Sequence, residues 1–436
     1  MIENMNVRVG IGGSFLRNTQ IASADLLPKL QPLSRNNITA SPMYDRSVPH
    51  TIARNRERWL RDPELVAISP PSRCVHKSST RIAPDVNPCQ WLLSGNPRLA
   101  NLVTETIGDR WIAHSEDLQQ LAPLADDPLL QLRWRAVKRA NKQVLASSLY
   151  QSQGIRIDVN SLFDLQLGRI GGHQRQLLNL LHIINTIDRI KQNPHEILPR
   201  TFIFGELADP QPIIDMAETE DCPLPMSDYR QYHQAQQQMA AESDLATLGL
   251  IKSLAETIAA DPDLSKKLQV VYIPAAAGLT SQMYAAADLT QQIATAAVET
   301  VDLSTLQATV NGVISIGSLG KTNYWLQQIV GEDNCFRFGL AIPEIALFKE
   351  YGYDPYNYYK YYPQIRRAID YLLAGHFTPN EPSQCRSIID TLLGADEQMV
   401  LADYIFYAAC QAQVSDTYAR SSLWTHMSIM NVAGVK

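Results

Sequence analysis

The sequence has no Cys-x-x-Cys pair and no Cys/His cluster at metal-ligand spacing. Its six cysteines, Cys74, Cys89, Cys222, Cys335, Cys385 and Cys410, stand far apart. That pattern argues against a zinc site or a disulfide framework and suits reduced thiols in a cytoplasmic protein. No window approaches the roughly 18 consecutive apolar residues a membrane-spanning helix needs, and no basic-then-apolar leader opens the chain. Excess positive charge is also missing. The net charge of −6 over 436 residues disfavours non-specific nucleic-acid binding, which wants basic surfaces. No Gly-x-Ser-x-Gly elbow occurs, and the glycines of Gly10-Ile11-Gly12-Gly13-Ser14 do not by themselves make a phosphate loop. What is present is an ordinary globular composition, 45% hydrophobic and 19% charged, in a chain long enough for one large domain or two modest ones.

The first 75 residues differ from the rest. They are rich in Ser, Asn, Pro and Arg, and their ten basic and six acidic residues give this end about +4 against about −10 for the remainder. Little here promises a core, so residues 1–75 read as a polar, flexible arm. Residues 76–436 read as an α/β domain. Helical periodicity marks Leu118–Leu124, Leu130–Leu149 and Gln174–Lys191. Short β-branched and aromatic runs at Thr201–Phe204, Leu268–Ile273 and Val313–Ile316 read as strands. Strands alternating with helices predict a Rossmann-like parallel sheet with helices on both faces. Residues near 216–240 read as a surface insertion, and the tail from Ile388 as helical.

Several blocks then carry a resemblance. They include Asn87-Pro88-Cys89-Gln90-Trp91-Leu92, Asn96-Pro97-Arg98-Leu99-Ala100, Asn160–Gln166, Arg175–His182 and Pro199-Arg200-Thr201. Ala287-Asp288-Leu289, Glu299, Asn311–Gly317, Gly352-Tyr353-Asp354, Ala402-Asp403-Tyr404 and Trp424-Thr425 follow in order. Over some 350 residues this order and spacing resembles the α-glucan (glycogen, starch, maltodextrin) phosphorylases, in their C-terminal half only. The resemblance implies the C-terminal domain of a GT-B glycosyltransferase or phosphorylase. It also implies that the family's other lobe, and a last helix returning to it, have no counterpart here.

The family cofactor is pyridoxal phosphate, held as a Schiff base by a lysine where this sequence has Gln307. An amide nitrogen cannot form that bond. The family's glycine-rich run before the lysine corresponds to Val301-Asp302-Leu303-Ser304-Thr305-Leu306. Both glycines are gone, and Asp302 adds negative charge. Gly168, Gln174 and Leu207 stand where family lysines are expected, although Arg169 is kept. A pocket for two phosphates needs cations and a nest of N–H groups, so no cofactor and no catalytic residue is expected. The resemblance leaves a remnant pocket of Arg169 and Gln307, and remnant substrate-site residues Glu299, Asn323 and His173. Pairing of Glu299 and Arg169 with each other, or with helix termini, stabilising the fold, is the plainer reading of those two. The tyrosines at 351, 353, 356, 358, 359, 361 and 362 are expected to pack structurally.

The resulting expectation is a degenerate, inactive phosphorylase-like protein that acts by binding in carbohydrate metabolism or its regulation. Its partner would be an α-glucan, a phosphorylase-type protein or another protein covering the half-cleft, or a second copy in a homodimer. It would not be a nucleic acid or a membrane. Three alternatives stay open: an active α-glucan phosphorylase releasing glucose 1-phosphate with a separate N-terminal half, a nucleotide-sugar glycosyltransferase, and a secreted bacterial effector exported through the arm.

Overall fold

The computed structural model describes residues 87–170, 175–206, 244–296, 303–378 and 385–435. The arm at 1–75 and the insertion near 216–240 lie outside them. The helices are α1 (Pro88–Gly95), α2 (Pro97–Ile107), α3 (Pro128–Gln153), α4 (Gln176–Gln192), α5 (244–260), α6 (Thr280–Ala286) and α7 (Leu303–Val310). They continue with α8 (Lys321–Val330), α9 (Ile342–Tyr351), α10 (Pro355–Tyr361), α11 (Pro363–Leu373), α12 (Arg386–Gly394), α13 (Val400–Tyr418) and α14 (Ser421–Ala433). The strands are β1 (Leu162–Leu167), β2 (Arg200–Gly205), β3 (Leu268–Ile273), β4 (Leu289–Gln292), β5 (Ile314–Ser318) and β6 (Phe336–Phe338).

All five strand pairings are parallel, and the sheet order is β3-β2-β1-β4-β5-β6. This is the doubly wound order, whose connection reverses direction between β1 and β4. The α/β expectation therefore holds, with four differences. Strands β1, β4 and β6 were not anticipated. The periodic segment at Leu118–Leu124 belongs to a 3-10 helix, Ser115–Leu124, which holds Pro123 inside it. Proline has no N–H to donate and clashes with a preceding carbonyl, so a regular α-helix does not form there.

Helix ends follow local chemistry. Asn87, Asn96, Asp127 and Asp354, and Asp261 before the single helical turn Pro262–Ser265, each cap a helix that begins with proline, and proline at the first position loses only an N–H that has no partner anyway. Alternation within each strand then feeds two layers. Phe202 and Phe204 enter a core with Leu178, Leu181 and Ile184 of α4 and Val400, Leu401 and Val414 of α13. Ile203, Leu165 and Val271 face the other way, onto Leu145 and Leu149 of α3 and Met283 of α6. A further cluster joins α1, α2, Trp111 and Trp134 to Ile429 and Val432 of α14.

The first of these layers also buries a polar network. Arg200 meets Asp164 at 2.8 Å and donates to Gln411 Oε1 at 2.6 Å. Gln291 Nε2 donates to the same carboxylate at 2.8 Å, and Gln411 Nε2 donates to the Tyr407 hydroxyl at 2.7 Å. Burial pushes the Asp164 carboxyl above its usual range against the opposing pull of Arg200. His182 stands edge-on to Tyr407 and Phe202. Burial, and then Arg200 and Arg189, hold its imidazole well below the ordinary histidine value.

Helix α3 is anchored by buried amines. Lys142 pairs with Asp288 at 2.5 Å and donates to Ser161 O at 2.8 Å. Lys138 donates to three carbonyls, Ala287 O at 2.7 Å, Ala285 O at 3.3 Å and Asn311 O at 3.3 Å. Burial lowers its amine to about 8, against the pull of Asp288.

Candidate functional site

In open sheets of this kind ligands sit beyond the carboxyl ends of the strands, where the strand order reverses. Here that crevice lies past Leu167 of β1 and Gln292 of β4, and the first turns of α4, α7 and α8 return toward it. Glu299, His173, Gln174, Asp302 and Leu207 lie outside the described residues, so the expected Glu299–Arg169 contact lies outside them too. The structure places Arg169, Gln307 and Asn323.

Arg169 is exposed just past β1, and its carbonyl accepts from Gln176 Nε2 at 3.0 Å. Before it, Gly168 takes φ 152, a conformation that side-chain-bearing L-residues rarely adopt. A lysine at 168 would be strained on this backbone, so that position is shaped for glycine.

Gln307 is half-buried on the second turn of α7, a helix that packs on α1 and β5. Its carbonyl accepts from Asn311 Nδ2 at 2.8 Å. Lys138 reaches Asn311, one turn further along, yet its ammonium is held there by the three carbonyls. Lys142 is paired with Asp288 at the amino end of β4, away from the crevice. Neither amine stands in for the side chain that position 307 lacks. These residues do not fit pyridoxal phosphate: an amide replaces the amine, and the backbone at 168 is shaped for glycine.

Asn323, in the first turn of α8, donates to Gln292 O at 3.0 Å and so ties the end of β4 to α8. A Cβ added to Gly317 would fall 2.2 Å from its Oδ1, so the asparagine lies flat on the β5 backbone. That Oδ1 is buried without a hydrogen-bond partner among the described residues. Thr305 of α7, which the sequence does not single out as a site residue, is fully buried, and its hydroxyl also has no partner among the described residues.

Sequence reasoning also missed the Arg175–Asp403 pair. Arg175, at φ 50, caps α4 and gives one N–H to Asp403 Oδ2 at 2.7 Å. Asp403 Oδ1 accepts from Leu340 N at 2.7 Å just past β6. Both side chains are about 1% exposed or less, and among the described residues Arg175 Nε and Nη1 have no partner. The only sequence signal was that Arg175 and Asp403 both fall inside resemblance blocks. Beside them Asp396 accepts from Tyr353 OH at 2.6 Å and from the N–H groups of Val400 and Leu401 at 2.8 Å.

Desolvation raises the Asp396 carboxyl to about 6, against those hydrogen bonds and the pull of Arg175. Between about pH 4 and 6 the folded chain therefore keeps a proton that the unfolded chain has released. This group's contribution to stability is present in full below about pH 4 and is lost as pH rises through 6. The shift corresponds to roughly 3 kcal/mol. Asp396→Asn removes the titration, so the difference between wild-type and variant urea-unfolding free energies is expected to change with pH across 4–6 and to level off above it.

Tyr353, Tyr358 and Tyr362 pack together, Tyr358 and Tyr362 stacked at 5.6 Å, in line with a structural role. Tyr356 and Tyr361 are half-exposed. Among the described residues no group of His, Cys, Asp or Glu is placed to hold a metal ion, and no helix is long and apolar enough to cross a membrane.

A family model described as carbohydrate phosphorylase matches residues 76–214 and 239–436. Glycogen phosphorylase of Synechocystis sp. is 34% identical over 350 residues, which are 80% of this chain and 38% of that protein. The brain form of Ovis aries and the muscle form of Oryctolagus cuniculus are each 31% identical over the same shares. The chain thus spans under two fifths of the length of the relatives it matches. The family match takes in all six strands, the crevice at their carboxyl ends and the α7 helix that carries Gln307, and on that match the chain belongs to the carbohydrate phosphorylase family.

Proposed function

We propose that this protein is a catalytically inactive member of the family that works by binding in carbohydrate metabolism, with an α-glucan as its ligand. The observation that carries the proposal is the amide at Gln307, with Lys138 and Lys142 both committed elsewhere. Phosphorylase chemistry as the resemblance implies it needs a covalently held cofactor and paired cations, and three of those cations are replaced by Gly168, Gln174 and Leu207. Each lost charge-assisted hydrogen bond removes roughly 1.5–3 kcal/mol, and each 1.4 kcal/mol is about tenfold in affinity.

Binding without turnover fits the rest of the crevice. Arg169, exposed just past β1, supplies a polar group at the strand ends. Tyr324 and Ile342, in the first turns of α8 and α9, are 59% and 39% exposed. Apolar surface of that kind beside polar groups suits a ligand with both characters. The described cysteines, Cys89, Cys335, Cys385 and Cys410, are free thiols, in keeping with a cytoplasmic setting.

One preparation tests the proposal. The full chain is purified with pyridoxal phosphate, its absorbance is recorded, glucose 1-phosphate release from glycogen is assayed, and retention on immobilised glycogen is measured. The expected result is no stoichiometric cofactor band, no release above background, and retention. A bound cofactor with turnover would overturn the reading in favour of an active phosphorylase. Absence of retention would remove the glucan and leave a protein partner, sought by pull-down with a glycogen phosphorylase.

A further inference from the structure

At the edge of the sheet opposite the crevice, before the start of β6, the surface opens into a half-open groove of about 470 Å³. One wall comes from the turn before β6, with Asp333 and Phe336. The other comes from the end of α13 and the start of α14, with Thr417, Leu423, His426 and Met427. None of these residues takes part in the crevice. The groove is within the volume range of small-molecule sites.

Its lining divides into two kinds. Phe336 is stacked against Trp424 on one side, at 6.2 Å and 26° between rings, and is itself only half-buried. With Leu423, 39% exposed, and Met427 it makes an apolar floor. Around that floor stand hydrogen-bonding groups. Asp333 is exposed and has no ion pair among the described residues. Thr417 offers a hydroxyl, and His426 has its Nδ1 2.8 Å from Asp126 Oδ1, which leaves Nε2 for another partner. The aromatic stack and the His426–Asp126 pair hold these groups in place before any ligand arrives.

A pyranose ring needs this combination. Its C–H face lies against an aromatic or aliphatic floor, and its rim of hydroxyls, each donor and acceptor, is met by carboxylate, hydroxyl and imidazole groups. Asp333, Thr417 and His426 supply acceptors and donors without a surplus of positive charge, which suits a neutral polyol better than an anion. We propose that the groove is a second saccharide-binding site, taking a short stretch of a neutral oligosaccharide, on the face of the sheet edge remote from the crevice. The proposal rests on the glucan-binding reading above and adds a separate place for the ligand.

The test is hydrogen–deuterium exchange of the full chain with and without maltoheptaose, run on wild type and on Asp333→Ala/His426→Ala and Leu423→Ala variants. Expected is slowed exchange in segments 332–336 and 417–427 that saturates with maltoheptaose, with at least tenfold more sugar needed in either variant. Near-wild-type exchange of both variants without sugar separates loss of binding from loss of fold. Slowed exchange confined to the crevice segments, or unchanged saturation in both variants, would overturn the groove and leave the glucan reading standing. No slowed exchange anywhere, with no retention on glycogen, would sink both.

Discussion

Asp403→Ala is expected to destabilise the fold by about 3–5 kcal/mol, because it leaves a buried guanidinium without its charge partner. Among the described residues Arg175 already has Nε and Nη1 unpaired, and none of them is placed to take over. The same substitution frees Leu340 N, which Asp403 Oδ1 holds at 2.7 Å. Urea unfolding checks the size: the midpoint should fall sharply with little change in slope. The double variant Arg175→Met/Asp403→Leu should recover part of the loss, since a buried ion pair is often replaceable by apolar groups of similar volume. It should keep a deficit of about 1–3 kcal/mol for the orphaned Leu340 N–H. A double variant as unstable as the single would show that the pair holds this corner by more than its charge.

Gln307→Lys is expected to give the chain an amine that reacts with pyridoxal phosphate, seen as label retained after borohydride reduction, while glucose 1-phosphate release stays at background. Restoring one amine leaves the positions of three cations unfilled, a shortfall of roughly 4–9 kcal/mol at about 1.5–3 kcal/mol each. That is about a thousandfold or more in affinity for phosphate groups. Adding Gly168→Lys should not repair it, because φ 152 at that residue strains any side chain. Turnover from the single variant would mean that the missing cations are supplied elsewhere, and the inactive reading would fail.

Much of this fold could be read from the sequence, and the exceptions share a cause. Strands β2, β3 and β5 stand out as β-branched or aromatic runs because Phe202-Ile203-Phe204, Val270-Val271-Tyr272, and Ile314 with Ile316 carry the signal. Strand β4 reads Leu-Thr-Gln-Gln, which does not look like the middle of a sheet. It is buried because Gln291 donates to Asp164 and lies within 3.1 Å of the Tyr407 hydroxyl, partners far away in the chain. Strand β1 hides in the same way: Asp164 is tolerated only beside Arg200. Strand β6 is three residues long and has no period to detect.

Of the candidate site, the substitution at 307 was visible once the resemblance gave each position a role. The use of Asn323 as a tie from α8 to Gln292 was not, since it depends on how closely the side chain can approach Gly317. The Arg175–Asp403 pair escaped for a similar reason. It spans 228 positions, and neither residue differs locally from a surface charge.

The joining of α1–α3 to α14 governs how this chain must be made. Trp134 Nε1 donates to Ser428 Oγ across 294 positions, and Lys138 holds Asn311 O across 173. During synthesis α1–α3 leave the ribosome long before the segment that closes over them, so their apolar sides wait uncovered until α14 appears. Such distant closure slows folding and exposes sticky intermediates. Nascent chains halted before residue 421 should therefore be the ones that chaperones hold longest.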